Sequence, residues 1–78
     1  MFIVTYVDYG ETCDGHARAL GTYETRFAAQ AAIDADVRGT KRVYGAKAVT
    51  HPNEVWASEK EIGTHGCVWD VHKVTDPQ

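Results

Sequence analysis

Tyr23-Glu24-Thr25-Arg26-Phe27-Ala28-Ala29-Gln30-Ala31-Ala32-Ile33-Asp34-Ala35-Asp36-Val37 contains neither glycine nor proline, and alanine recurs through it. Alanine loses the least side-chain entropy in a helix, so this stretch predicts the one clear helix of the chain. Gly21-Thr22 ahead of it reads as a break followed by an N-cap, and Gly39 beyond it as the C′ residue. At about 100° per residue, Tyr23, Phe27, Ile33 and Val37 fall on one broad side, with Arg26, Gln30 and Asp34 among them. Ala28, Ala31, Ala32 and Ala35 form a second, small-residue side. Small side chains allow close approach, so we expect the helix to lie flat on a sheet through the Ala side plus Phe27. The plainer alternative is that the alanines are only good helix formers.

Outward from the helix, both flanks read as strands. Phe2 to Tyr9 is β-branched or aromatic at nearly every position, with Ile3, Thr5 and Val7 on one face and Phe2, Val4 and Tyr6 on the other. That pattern predicts a central strand covered on both faces. Tyr9 to Gly15 is dense in turn formers, and His16 to Thr22 reads as a weaker strand completing a hairpin. On the other flank, Gly45 to Thr50 and Glu54 to Ala57 are short strand candidates separated by the turn His51-Pro52-Asn53. Glu59-Lys60-Glu61 and Gly63-Thr64-His65-Gly66 read as a polar connector. In the last strand Cys67, Trp69 and Val71 alternate with Val68, Asp70 and His72, and Thr75 to Gln78 reads as a frayed tail. The fold class is therefore α+β, a mostly antiparallel four- to five-stranded sheet with one main helix, in the order β-β-α-β-β-β. Antiparallel pairing follows because a parallel crossover needs about a dozen residues, which only the helix supplies.

All 78 residues form one domain, since a second folding unit would have no core of its own. A chain this short buries only about 60 to 65% of its unfolded surface, so a homodimer or a target would add useful stability. Composition is globular, with 44% hydrophobic and 24% charged residues and enough aromatics to build a compact centre. The first residues show no basic leader or cleavage site and no window is apolar enough to span a bilayer, so the expected location is the cytoplasm, with no membrane role. Cys13 and Cys67 are then read as two thiols rather than a disulfide.

Four residues have the chemistry of a metal site: Cys13 and His16 in C-x-x-H spacing, and His65 and Cys67 in H-x-C spacing, with Gly15 and Gly66 available to form tight knuckles. The bland reading places Cys67 in the core and the other three in loops, and no cofactor is assigned. Cys67 and His72 point to opposite strand faces and do not make a nucleophile-base pair. Asp70 and His72 share a face, which an exposed polar surface explains as well as catalysis does. No phosphate loop or dinucleotide fingerprint occurs, so no catalytic residues are assigned and the chain is not read as an enzyme.

Charge is more informative. Arg38, Lys41, Arg42 and Lys47 form a basic segment without acids, between two acidic flanks. Beside Tyr44 such a cluster suits phosphate contacts, yet a net charge of −3 argues against nucleic acid as the main partner, and the helix dipole accounts for Arg38 equally well. Trp69 reads as core. Trp56, between Glu54 and Ser58 in a short strand that suits a sheet edge, and Tyr9 and Tyr44 in turns, are the contact candidates, joined by Glu11, Asp14 and Glu59.

The strand at the initiator Met, the Ala-rich helix and the closing strand Cys67-Val68-Trp69-Asp70-Val71-His72-Lys73-Val74 together resemble the small single-domain α+β proteins of phages and mobile elements, among which anti-CRISPR proteins are the best-known functional class. The resemblance covers size, order and texture without a diagnostic motif, and no site residues carry over from it. It implies a non-enzymatic inhibitor that occupies a surface of a larger host protein or protein complex. The competing expectations are a zinc-stabilised domain through Cys13, His16, His65 and Cys67, and a weak nucleic-acid binder through Arg38, Lys41, Arg42 and Lys47.

Overall fold

A computed structural model describes residues 1–10, 17–60 and 63–75. Strand β1 (Phe2–Tyr9) and strand β2 (Ala17–Tyr23) are followed by helix α1 (Arg26–Tyr44), a 3-10 turn (Gly45–Lys47), and strands β3 (Val49–His51), β4 (Glu54–Glu59) and β5 (Gly63–Lys73). The five strands make one sheet in the order β2-β1-β5-β4-β3, and every adjacent pair is antiparallel. The α+β class and the single helix are as expected. Placement of the first and last strands side by side at the centre is a consequence of pairing that no local pattern specifies.

Helix α1 begins and ends later than its sequence suggests. Thr22 lies in β2; the N-cap is Thr25, whose Oγ1 accepts from the Ala28 N–H at 3.0 Å. Gly39 is not the C′ residue but lies inside the helix, which continues to Gly45, where a φ of 75° supplies the left-handed turn that glycine tolerates. An exposed interior glycine costs only about 1 kcal/mol, and the apolar contacts of Val37 and Tyr44 with the core outweigh it. Lys41 and Arg42 in the last turn favour the dipole, the role the sequence offered for Arg38.

The buried stripe of α1 also differs from expectation. Ala29 and Ile33 are sealed from solvent and Val37 and Tyr44 pack beside them, at the successive spacings of four, four and seven residues that keep one helix face. Ala28, Ala31 and Ala35 face water, and Phe27 is 86% exposed. The β-branched Ile33 removes more apolar area from water than the alanines can, and its side of the helix wins. Beneath it lie Val4, Val55, Cys67 and Trp69, all buried. Gln30 Nε2 donates to Asn53 Oδ1 at 2.7 Å and so ties the helix to the β3–β4 turn. That turn is Pro52-Asn53, with Asn53 at φ 59°, a conformation asparagine tolerates better than most residues.

Several strand boundaries move. Gly45 to Lys47 is 3-10 turn rather than strand, and the expected polar connector Gly63 to Gly66 is the first third of β5, paired with β4 from Glu59↔Gly63 onward. Strand β1 is interior, as expected, but only one of its faces is covered. One helix cannot cover two faces of a sheet, and among the described residues no element covers the second.

Candidate functional site: the open face of the sheet

Residues directly opposite each other in an antiparallel pair share a face, so the register assigns every strand residue a side. The pairs Val4↔Val71, Tyr6↔Trp69 and Asp8↔Cys67 lie on the helix side. Ile3↔His72, Thr5↔Asp70, Val7↔Val68 and Tyr9↔Gly66 lie on the other, extended across β4 by Glu54↔Val68 and Trp56↔Gly66. This open face has an apolar floor of Ile3, Val7 and Val68, each half-buried. One end of the floor is capped by aromatic rings.

Gly66 organises that cap. Tyr9 and Trp56 stand two strands apart, yet their rings stack with centroids 5.7 Å apart and planes 28° from parallel. They meet because Gly66, between them, has no side chain. A Cβ there would sit 2.5 Å from Trp56 Cε3 and 2.6 Å from the Val55 carbonyl oxygen, closer than real atoms approach. The indole is fixed further by Nε1, which donates to Glu54 Oε1 at 2.8 Å. Tyr9 remains 44% exposed, so the stacked pair presents one ring to solvent. At the far end, Thr5 Oγ1 and His72 Nε2 lie 2.9 Å apart, with Asp70 Oδ2 3.9 Å from the same nitrogen. The sequence placed Asp70 and His72 on one face, and so does the fold.

On the helix side, the same end of the sheet carries a polar cluster around Cys67. Its Sγ lies 3.3 Å from Asp8 Oδ1, 3.4 Å from the Tyr44 hydroxyl and 3.5 Å from the Tyr6 hydroxyl, which itself donates to Asp8. Burial pushes the Cys67 thiol up, although the two tyrosine hydroxyls pull the other way. Burial first, and then the bond to Asp8, pushes the Tyr6 hydroxyl far above its ordinary value. Both groups hold their protons at neutral pH, and a protonated thiol is a poor nucleophile. Next to this cluster Glu59 accepts from Lys47 at 2.6 Å and contacts His65 at 3.1 Å, and Tyr44 sits edge-on to the His65 ring at 5.0 Å. The Lys47 bond, then the His65 bond, hold the Glu59 carboxyl below the usual carboxylate range. Val43, Ala57 and these residues line an open cleft of about 240 Å³.

Of the expected contact residues, the fold brings Tyr9 and Trp56 together on the open face and sets Tyr44 and Glu59 on the opposite side, lining the cleft. Tyr9 ends β1 and Tyr44 ends α1, so neither occupies a turn. Trp56 is partly exposed as anticipated, but β4 is interior rather than an edge; β2 and β3 are the edges. Glu11 and Asp14 lie outside the described residues, as do Cys13 and His16 of the expected metal set. His65 and Cys67 point to the same side of β5, engaged with Glu59 and with the tyrosines respectively. Among the described residues no group of three or more His, Cys, Asp or Glu side chains is placed to hold a metal ion. Arg38, Lys41 and Arg42 lie exposed on α1, and Lys47 is committed to Glu59. Trp69 is core at 3% exposure, with its Nε1 buried and unpaired among the described residues. Sequence reading gave Ile3, Val7 and Val68 a strand face but no contact role, and Gly66 only a place in a metal knuckle; period-2 alternation marks the strand positions, but nothing local says which face the helix takes.

Compared with known protein families, curated proteins and solved structures, the chain matches none of them. No described helix is long and apolar enough to cross a membrane.

Proposed function

We propose that this chain is a non-enzymatic, cytoplasmic protein-binding module, an inhibitor or adaptor that occupies a surface of a larger protein or complex. The phage-type inhibitors it resembles in size and element order are the model for that role. One observation carries the reading: among the described residues no element covers one face of the five-stranded sheet, and the floor of that face is apolar and aromatic rather than solvated polar. Antiparallel sheets that face only water alternate apolar-in with polar-out, whereas β1 places Ile3, Val7 and Tyr9 outward. Contiguous apolar surface rimmed by polar groups is the usual mark of a recognition site.

The test is affinity capture from candidate host lysates with the wild-type chain and Tyr9→Ser run side by side. A partner retained by the wild type through stringent washing and lost by the variant supports the module. Retention by both, or no partner from any host, removes the reading. The zinc alternative keeps one supporting observation, the shared side of His65 and Cys67. Native mass spectrometry of carefully prepared protein decides it, since a zinc adduct lost in His65→Ala would revive that class.

A further inference from the structure

We propose that the partner surface docked on the open sheet face presents arginine or lysine side chains, with one cation seated against the exposed aromatic pair beside Glu54. The inference rests on the protein-binding reading above and adds the chemistry of the occupant. Its first support is the charge of the face. Ala17, Ala19 and Thr22 of β2, Ile3 to Tyr9 of β1, Thr64 to His72 of β5, Glu54 to Ser58 of β4, and Val49 and His51 of β3 supply its outward positions. Among these described positions the acids are Glu54 and Asp70, and there is no lysine or arginine. The bases of α1 lie on the other side of the molecule.

Docking an apolar surface here would strip water from two carboxylates without replacing it, a cost that the partner's cations offset. A second copy docking through the same face would bring Glu54 and Asp70 no lysine or arginine, because a two-fold interface presents the same patch from both sides. Nucleic acid could stack on Tyr9 and Trp56, but its phosphates meet the same acids and find no lysine or arginine among the described residues of this face to neutralise them. Basic polypeptide is the occupant that satisfies both the apolar floor and the charge.

The second support is the geometry at Trp56. Its Nε1 holds Glu54 Oε1 at 2.8 Å, which fixes a carboxylate at the edge of the stacked rings. A guanidinium lying on an aromatic face while its N–H groups reach a neighbouring carboxylate uses cation–π attraction and a charge-assisted bond together. Gly66 keeps the rings in that position.

The full chain would be titrated, with amide NMR as the readout, against three hexapeptides that alternate valine with arginine, lysine or glutamate. The arginine and lysine peptides are expected to shift the amides of Tyr9, Trp56 and Val68 and the Trp56 indole N–H, leaving α1 unmoved. The pair Glu54→Gln and Asp70→Asn preserves the acceptors of Trp56 and Val71 and so keeps the fold. It should weaken arginine-peptide binding about tenfold, as should raising salt from about 20 to about 500 mM. Equal binding of the glutamate peptide at this face overturns the cationic partner while leaving the protein-binding module intact. Shifts on α1 instead, or none with any peptide at millimolar concentration, also overturn it. Failure of the parent reading is separate: lysate capture would then be indifferent to Tyr9→Ser.

Discussion

On the face beneath α1, Val4, Val55, Cys67 and Trp69 are sealed from water, whereas on the opposite face of the same strands Ile3, Val7, Trp56 and Val68 keep part of their surface wet. Both faces are apolar at their centres. The covered one excludes charge from its buried core, and the open one sets Glu54 and Asp70 among its apolar residues. The covered face satisfies itself within the chain; the open face mixes an apolar floor, an exposed aromatic and two carboxylates that meet no lysine or arginine among the described residues of that face. The same sequence alternation, period two, produces both.

The sharpest way to break this contrast is in the core. Ile33→Ala removes a fully buried branched side chain at the helix–sheet contact and should cost about 2–5 kcal/mol in urea unfolding followed by Trp69 fluorescence. A loss below about 1 kcal/mol would mean that α1 is not anchored there. Gly66→Ala acts on the open face but through sterics, pressing a methyl group into Trp56 and the Val55 carbonyl. It should cost about 1–3 kcal/mol and separate the Tyr9 and Trp56 rings, read from the indole N–H shift.

Alkaline pH tests the covered polar cluster. The Cys67 thiol, raised by burial above an ordinary value of 9.0, and the Tyr6 hydroxyl, raised above 10.0, contribute stability that is complete below those ordinary values. As pH rises the unfolded chain releases protons that the folded chain retains, so stability falls from about pH 9 upward. Melting curves from pH 7 to 10.5 should show that fall, and Cys67→Ala should remove its first part. A flat profile would mean that the thiol is solvated.

Phe27→Ser should change stability by less than about 0.5 kcal/mol, because the ring is almost fully exposed, and a larger loss would show that it packs where the sequence pattern placed it. The smallest effect is expected from Lys47→Met. Glu59 then loses its strongest partner and its pKa rises toward the ordinary range, measured by carboxyl NMR titration. An unchanged midpoint would mean that the pair does not persist in solution.

Period-two alternation in Phe2 to Tyr9 and Cys67 to His72, and alanine enrichment in Tyr23 to Val37, were sufficient for one helix, a sheet and antiparallel pairing, because these depend on neighbours within a few residues. The site was legible in part: Trp56 and Tyr9 stood out as contact residues, and Asp70 shared its face with His72. Their partnership was not, since Tyr9 and Trp56, from strands far apart in the sequence, meet only across Gly66. Gly39 looked like a helix end because local propensity favours stopping there, whereas the contacts of Val37 and Tyr44 with the core, made on either side of it, carry the helix through.

What the sequence by itself determined is the alphabet of elements, because hydrogen-bonding period and side-chain entropy are local properties. Tertiary structure alone decided that β1 and β5 pair at the sheet's centre, that Ile33 rather than the alanine side turns inward, and that no described element covers the other apolar face. Those outcomes follow from competition among distant surfaces for one helix, and the face that buries the most apolar area takes it.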